Sequence, residues 1–379
     1  MRIKFARPRF GPADCAAVTG AMKRSRLTNA GAVREFENKF VEAIGGGIAV
    51  ATSSCTAALH MALLALEIGE GDEVVVPALT FAACGHVVEA VGATPVFADC
   101  HPEAGQIDPD DIARRVPPRT KAIMAMHFAG RPGYMGSILS IARKHGLKVV
   151  EDCATALGAR HSGKHVGLLG DIGCFSFHPV KHITTCEGGM LVTGHPELAE
   201  RARLAREFGK ENSPYGAPIT EHPMAYRIKA FGLNFRMTEL QGALGVSQLD
   251  CAGKRLEISR SNYRRLEAAL DGLEILQLGG ADESQRAEGA AYCLVVHMPP
   301  GKAAPNVRQE LLARHVETSV YYPGPLPLMP YYRDKHGHRP GGFPHAERIA
   351  RNSIALSVGP HLGSNEMAYQ AEQLKECLR

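Results

Sequence analysis

The sequence predicts an α/β fold: a large domain on a mainly parallel sheet flanked by helices, plus a smaller C-terminal α+β lobe. Two observations carry this. Between residues 72 and 194, short β-rich runs alternate with helical segments. Those runs are nearly continuous apolar stretches, as parallel strands covered on both faces require. With 379 residues the chain is too long for one small core. The division is placed at 1–250 for the large domain and 251–379 for the small one.

The elements follow in order. Residues 32–46, "AVREFENKFVEAIGG", read as an amphipathic helix stopped by glycine. "SSCTAALHMALLAL" reads as a turn running into a helix at Thr56. Then strand-like "DEVVVPA" precedes helical "FAACGHVVEAVG", and "TPVFADC" precedes "DPDDIARRV". "TKAIMAMHFA" precedes "GSILSIARKHG", and "KVVEDCA" follows. In sheets of this kind ligands bind beyond the carboxyl ends of the strands, which places Pro77, Cys100, His127 and Asp152 near one rim. "DIGCFSFH" and "GMLVTG" are two further strands, followed by the helical "PELAERARLAREFG". Residues 210–225 are rich in Pro, Gly and polar side chains and read as a long loop; this loop and the segment "YYPGPLPLMPYY" are the candidates for the substrate pocket. From Met237 the pattern is helical to about Gly272. The remainder mixes strands ("LEILQL", "AYCLVVHM", "TSVYY") with the helical "NVRQELLARHV" and a C-terminal helix.

Composition narrows the function classes. Hydrophobic residues at 45% and charged residues at 22% are ordinary for a globular protein. A net charge of +4 is small for this length and gives no general reason to expect nucleic acid. No segment reads as a signal-peptide core or a membrane span. The ten cysteines are scattered, with no C-x-x-C pair and no zinc-ligand spacing, so no metal is expected. They read as reduced thiols of a cytoplasmic protein.

Two residues then stand out. Asp152 closes a buried strand, where an acid also commonly serves as an N-cap or a structural hydrogen-bond acceptor. Lys181 sits in "FSFHPVKHITTCEGGM" among apolar and small residues. A lysine that loses solvation has a lowered pKa and can act as a neutral amine. Together they match what pyridoxal 5'-phosphate (PLP) enzymes need: a lysine for the aldehyde and an acid for the pyridine nitrogen. "SSCTAAL" can cradle the phosphate on backbone N–H groups at a helix start, although Ser54 or Thr56 could be a plain N-cap. Ser176 can add a hydroxyl to the phosphate, and Phe81 can stack on the ring or belong to the core.

Seven stretches, in this order, resemble the DegT/StrS family of PLP-dependent nucleotide-sugar aminotransferases, of fold type I (aspartate aminotransferase-like). They are "LTNAGAVREFENKF", "SSCTAALHMALLAL", "GDEVVVPALTF", "VGATPVFADC", "EDCATALGA", "FSFHPVKHITTCEGGM" and "LNFRMTELQGALG". The resemblance implies that Lys181 holds the cofactor's aldehyde and moves the substrate proton, and that Asp152 pairs with the pyridine nitrogen. It makes Thr56 and Ala57 backbone phosphate donors, Ser176 the hydroxyl donor and Phe81 the stacking ring. Asn234 is expected to reach the phosphate of a neighbouring subunit, which implies a homodimer with shared active sites. Thr155 stands beside the cofactor's 3'-oxygen, where the family often has Gln or His. Cys55 and Cys186 stand where glycine is common, and Pro327 where many members carry a substrate-facing histidine.

The implied reaction moves an amino group from an amino acid, by family habit L-glutamate, to a keto sugar, by the same habit nucleotide-linked. It would serve amino-sugar or polysaccharide biosynthesis. One family branch has histidine at the lysine position and acts as a sugar dehydratase; Lys181 disfavours it. Two further readings stay open: a PLP-binding regulator or sensor on the same scaffold, and a lyase such as a cysteine desulfurase. Of the histidines, His182 reads as structural or supporting, and His127 either touches cofactor or substrate or is a satisfied structural group. His178 is secondary to Lys181.

Overall fold

The structure is a computed structural model describing residues 1–116, 118–211, 227–278 and 287–379. Its helices are α1 (Pro12–Met22), α2 (Gly31–Ile44), α3 (Cys55–Ala65), α4 (Ala82–Ala90), α5 (Pro109–Arg115), α6 (Met135–His145) and α7 (Pro196–Arg206), then α8 (Glu239–Asp250), α9 (Ala252–Ala269), α10 (Ala304–Ala313), α11 (Pro330–His336), α12 (Pro344–Asn352) and α13 (Ser364–Leu378). The strands up to the long loop are β1 (Ile48–Thr52), β2 (Glu73–Pro77), β3 (Thr94–Ala98), β4 (Thr120–Met126), β5 (Lys148–Asp152), β6 (Arg160–His161), β7 (Lys164–His165), β8 (Ile172–Ser176) and β9 (Gly189–Thr193). After them come β10 (Lys210–Glu211), β11 (Arg227–Ile228), β12 (Leu276–Leu278), β13 (Ala287–Glu288), β14 (Cys293–His297) and β15 (Ser353–Ser357).

Seven strands form the main sheet in the order β1-β9-β8-β5-β4-β2-β3. The neighbours from β8 to β3 pair in parallel, and β9 runs against both β1 and β8. Alternation along each strand splits the core in two, because successive side chains point to opposite faces. Val74, Val76, Met124 and Val150 face α3, α4 and α7. Val75, Ile123, Ala125 and Val149 face α5 and α6, while Ala49, Phe175, Met190 and Val192 face α2. The strands therefore lack a polar side, which is why they read as unbroken apolar runs.

The C-terminal part has its own antiparallel sheet, β12-β14-β15. Leu294, Val296, Ile354 and Leu356 build a second core with Leu266, Leu311 and Leu374. Their alternates, Cys293, Val295 and Ala355, join the first core. One sheet thus has a face in each core, and this is the expected α/β architecture with a smaller α+β lobe. The N-terminus belongs to the second core. Ile3 is fully buried there; its N–H donates to His315 O at 2.8 Å and its carbonyl accepts from Glu317 N–H at 3.0 Å.

Two polar anchors position helices around the site. Glu239, with no exposed surface, accepts from the N–H groups of Ala30 (2.6 Å), Ala32 (2.8 Å) and Val33 (3.1 Å) at the start of α2. Acid at a helix N-terminus satisfies free N–H groups and opposes the helix dipole. Arg206 donates to Glu37 Oε1 at 2.8 Å and to Ala51 O at 3.1 Å, tying α7, α2 and β1 together.

Four differences from the sequence expectation follow. The helical run from Met237 breaks at Cys251, giving α8 and α9. "TSVYY" is not a strand; Ser319 makes a single bridge to Ala355, because Tyr321 and Tyr322 turn toward a cleft instead. Helices α1, α11 and α12, the edge strand β1 and the small-sheet strand β15 lie outside the predicted elements. Of the predicted loop 210–225, Lys210 and Glu211 form β10, and residues 212–225 lie outside the described residues.

Candidate active site

A cleft of about 990 Å³ opens at the carboxyl ends of the main-sheet strands. Thr56, Phe81, Asp152, Thr155, Ser176 and Lys181 all line it. They come from separate connections of the sheet, and only the parallel strand order makes them neighbours.

Asp152 ends β5 and is buried. Its Oδ1 accepts the Ala154 N–H at 2.9 Å, and its Oδ2 accepts the Cys84 thiol at 3.1 Å. The Thr80 hydroxyl in turn donates to Cys84 Sγ at 3.1 Å. The carboxylate is held from two sides at the cleft wall. Cys84 was not foreseen, because an apolar-looking thiol in a helix carries no local sign of its partner.

Lys181 sits in the turn after β8, where its N–H donates to His178 O at 2.9 Å. Its Nζ lies 5.2 Å from the centre of the Tyr292 ring, within cation–π range. Burial lowers its pKa below the ordinary lysine value, while Asp152, Cys55 and Cys293 pull it back up. The net direction favours a neutral amine relative to a surface lysine. The Tyr292 and Tyr321 hydroxyls lie 3.1 Å apart, and both rings, with Tyr322, close the cleft from the small lobe. Burial pushes all three phenol pKa values up, so they remain neutral hydrogen-bonding groups. The available sign for them was chemical: adjacent tyrosines in an apolar run need partners for their hydroxyls.

The start of α3 provides the cradle. Ser54 is its N-cap, and Ser54 Oγ accepts the Ala57 N–H at 3.1 Å. This differs from the expectation for Ala57, whose amide is already engaged and whose side chain is buried. The Cys55 and Thr56 amides make no protein hydrogen bond among the described residues and stand at the cleft. Gly189 shows how tightly this corner is built: a Cβ there would lie 2.4 Å from the Ser54 carbonyl. The Ser176 hydroxyl lines the cleft and accepts the His178 N–H at 3.4 Å. Phe81 is 60% exposed, with its ring 6.3 Å from that of Tyr322, so it is a cleft wall rather than a core residue.

Other expectations resolve differently. Asn234 does not line the cleft of its own chain. It is exposed, its Oδ1 accepts the Arg236 N–H at 3.3 Å, and it stands among the exposed apolar residues Ile228, Phe231 and Leu233. His127 is fully buried and outside the cleft lining. Its Nδ1 accepts the Gly133 N–H at 3.1 Å, so its Nε2 carries the proton toward Glu151 at 3.0 Å. Glu151 also accepts the Gly167, Leu169 and Gly170 N–H groups at 2.7–2.8 Å. Cys153 approaches this pair, but the ligand-capable atoms of His127 and Glu151 are engaged in hydrogen bonds, as befits a structural strut. Thr155 couples the strut to the cleft, its hydroxyl donating to His127 O at 3.0 Å. Cys100 is in the core rather than on the rim.

His182 Nε2–H donates to Ala290 O at 3.0 Å, and burial drops its pKa to about 4, so it is neutral near pH 7. His178 is exposed at the cleft. Cys186 has φ +65°, the left-handed region where glycine is cheapest, which accounts for glycine being common there. Pro327 is buried in a short 3-10 turn whose Leu326 N–H donates to Ala78 O at 2.7 Å; it does not line the cleft. Burial pushes the Cys55 and Cys84 thiols well up, with Asp152 adding to the shift. Protonated thiols are poor nucleophiles, which argues against desulfurase chemistry here.

Three comparisons bear on this site. The profile of the DegT/DnrJ/EryC1/StrS aminotransferase family matches residues 9–375. The GDP-perosamine synthase of Escherichia coli O157:H7 is 34% identical over 345 residues, 91% of this chain and 89% of that one. The crystal structure of DesI in the presence of its TDP-sugar product superposes with a TM-score of 0.86 at 32% identity, covering 100% of this chain and 93% of DesI. The PLP form of the putative sugar aminotransferase Spr1654 from Streptococcus pneumoniae gives a TM-score of 0.91 at 26% identity, covering 100% and 99%.

Proposed function

The chain belongs to the DegT/DnrJ/EryC1/StrS aminotransferase family, and we propose that it moves the amino group of L-glutamate to a nucleotide-linked keto sugar. It is a sugar aminotransferase of fold type I, and pyridoxal 5'-phosphate is its cofactor. The carrying observation is one cleft that holds a desolvated amine, a fixed carboxylate and free helix-start amides. These donors fit the cofactor's three recognition needs: aldehyde, ring nitrogen and phosphate. Bound PLP supplies the electron sink that stabilises negative charge on the donor's Cα.

The rest is the work of the chain. The Thr56 amide and Ser176 hydroxyl hold the phosphate, with the neighbouring Cys55 amide; the Ala57 amide contributes once Ser54 Oγ releases it. Phe81 fixes the ring plane and Thr155 stands near its edge. Asp152, kept in place by Cys84 and Ala154, would pair with the ring nitrogen and keep it protonated. Lys181, as a neutral amine, would take the proton from the donor's Cα and hold it beside the cofactor's aldehyde carbon. Tyr292, Tyr321 and Tyr322 exclude water over Lys181 and orient it.

We read the active unit as a homodimer. Asn234 lies outside its own cleft on a surface carrying exposed Phe231 and Ile228, an arrangement that suits reaching a neighbour's phosphate. We keep the division at 1–250 and 251–379 as our reading: the second core is built from residues 266–378 with Ile3, while Cys293, Val295, Tyr332 and Ala355 of the C-terminal part join the first. Amino-sugar or polysaccharide biosynthesis is the setting this reaction would serve, in the cytoplasm.

The test is spectroscopic. PLP-loaded protein should show visible absorbance from the lysine-bound cofactor, lose it on adding L-glutamate, and regain it with one member of a panel of nucleotide-linked 3- and 4-keto sugars. A protein that keeps its absorbance with every amino donor tried, or a Lys181→Ala variant with full turnover, overturns the reading.

A further inference from the structure

Three strand ends and one helix meet behind the cleft wall at Asp152. Met126 ends β4 and pairs directly with Asp152 at the end of β5, while Thr80 follows β2, the next strand over. Cys84 comes from the first turn of α4. All four residues are buried, and none is more than 5% exposed.

Thr80 has more acceptors than protons. Its hydroxyl lies 3.1 Å from Cys84 Sγ and 3.2 Å from Met126 Sδ, placed to donate to each, and it carries one proton. Two arrangements follow. In the first, Thr80 donates to Cys84 Sγ, and the thiol proton goes to Asp152 Oδ2 at 3.1 Å. In the second, Thr80 donates to Met126 Sδ and its oxygen is open to accept the thiol proton, which leaves Oδ2 without that donor.

Both sulfurs are weak acceptors, so their neighbours decide between them. Burial pushes the Cys84 thiol pKa well up, so the thiol is protonated near pH 7 and able to donate. A sulfur whose own proton is engaged by a carboxylate is the more electron-rich acceptor, because hydrogen bonds in a chain polarise one another. Met126 Sδ also receives the Tyr322 hydroxyl at 3.5 Å, a second claim on that sulfur. Both effects favour the first arrangement.

We propose that Thr80 is a positioning residue for Asp152: its single hydroxyl proton, divided between Cys84 and Met126, sets how firmly the thiol holds the carboxylate. This rests on reading Asp152 as the partner of the cofactor's ring nitrogen. Thr80 does not line the cleft, so it acts through Cys84. With the Ala154 N–H on Oδ1 at 2.9 Å, the thiol on Oδ2 is the second of two contacts that fix the carboxylate's plane.

The S–H stretching band reads this bond directly, since it moves to lower frequency as a thiol donates more strongly. Among the ten cysteines, the Cys84 band is the one lost in Cys84→Ala. In infrared spectra of the PLP-loaded protein, Thr80→Val should move this band up in frequency, and Thr80→Ser should leave it in place. Met126→Leu, which removes the competing sulfur at similar volume, should move it down. Thr193→Val removes a buried hydroxyl that donates to Asp171 O at 2.7 Å, at the amino end of β8, and should not move it. Thr80→Val should also raise the PLP Kd about threefold or more, with Thr80→Ser close to wild type. Circular dichroism reports folding, and Thr80→Ser with Met126→Leu keep the test decisive if the valine variant does not fold. The proposal is overturned if the Cys84 band holds still in Thr80→Val, if Met126→Leu moves it up, if Thr193→Val moves it as much, or if the band moves while the PLP Kd does not. The donor reaction with L-glutamate separately tests the aminotransferase reading, and the same band shifts measured without cofactor test Thr80, so either can fail while the other stands.

Discussion

Cys84 donates its thiol proton to Asp152 Oδ2 at 3.1 Å, across 68 residues of sequence. The acid we propose for the ring nitrogen is thus partly positioned by a cysteine from the first turn of α4. Cys84→Ala leaves Oδ2 without that donor and a small void, at a cost of about 1–2 kcal/mol in urea unfolding. PLP affinity should fall with it. Cys84→Ser, which keeps a donor, should recover part of the affinity; a serine variant no better than alanine would show that the bond does not position Asp152.

Lys181→Ala should fold, since the amine is desolvated rather than structurally paired. Turnover should fall by on the order of 10²–10⁴-fold or more, the range for losing a positioned proton carrier. Stopped-flow measurement of the donor reaction reads this directly. Added methylamine should restore part of the rate.

His165 gives a stability signature in pH. It is 2% exposed, its Nε2 accepts the Gly158 N–H at 2.8 Å, and burial lowers its pKa to about 4. The folded state therefore binds its proton at lower pH than the unfolded state. Stability from this group is complete above about pH 6.5 and is lost as pH falls toward 4, by about 3 kcal/mol. Urea midpoints of wild type should drop over that window, and those of His165→Gln should drop less. Parallel curves would refute the assignment.

Glu239→Gln removes the charge that three α2 amides and Arg24 share. A loss of about 2–4 kcal/mol is expected from unfolding curves, as for a buried charged acceptor. Because α2 and α8 pack together, the thermal midpoint should fall without any change in cofactor absorbance at low temperature.

Phe231 is 68% exposed and near Asn234. Phe231→Glu should shift the protein toward monomer in sedimentation, and PLP affinity should drop as the neighbour's contribution is lost. Asn234→Ala should lower PLP affinity while leaving the dimer intact. Unchanged sedimentation in Phe231→Glu would remove this face from the dimer reading.

Much of the cleft was legible in the sequence because its parts sit at strand ends, where the apolar run stops and a polar residue begins. Asp152 and Ser176 are of that kind, and Lys181 follows a strand by a short turn. Of the tyrosines, only the segment "YYPGPLPLMPYY" that Tyr321 and Tyr322 begin is marked in the sequence as a pocket candidate; Tyr292 is not. Tyr292 reaches Lys181 from a different lobe, and nothing in "AYCLVVHM" indicates which side of the strand meets the cleft. Tyr321 and Tyr322 looked like strand residues because β-rich composition cannot distinguish a strand from an extended segment with one bridge. His127 misled for the opposite reason: its strand-end position is shared with Asp152, but its ring turns inward to Glu151. Sequence position fixes the rim, and packing decides which side chains look over it.

The placement of Ile3 has a practical side. The chain's first residues lie threaded into the far lobe, and the stretch just after them, with Arg7 and Arg9, lines a pocket that Lys181 and Tyr292 also line. A gene product started a few codons late would therefore be more than shortened. It would leave a greasy slot open in the C-terminal part and strip two arginines from beside the lysine, while the main sheet stayed whole. Such a protein could still turn yellow with cofactor and yet be a poor enzyme, so cloning boundaries and N-terminal tags need checking before any inactive preparation is taken at face value.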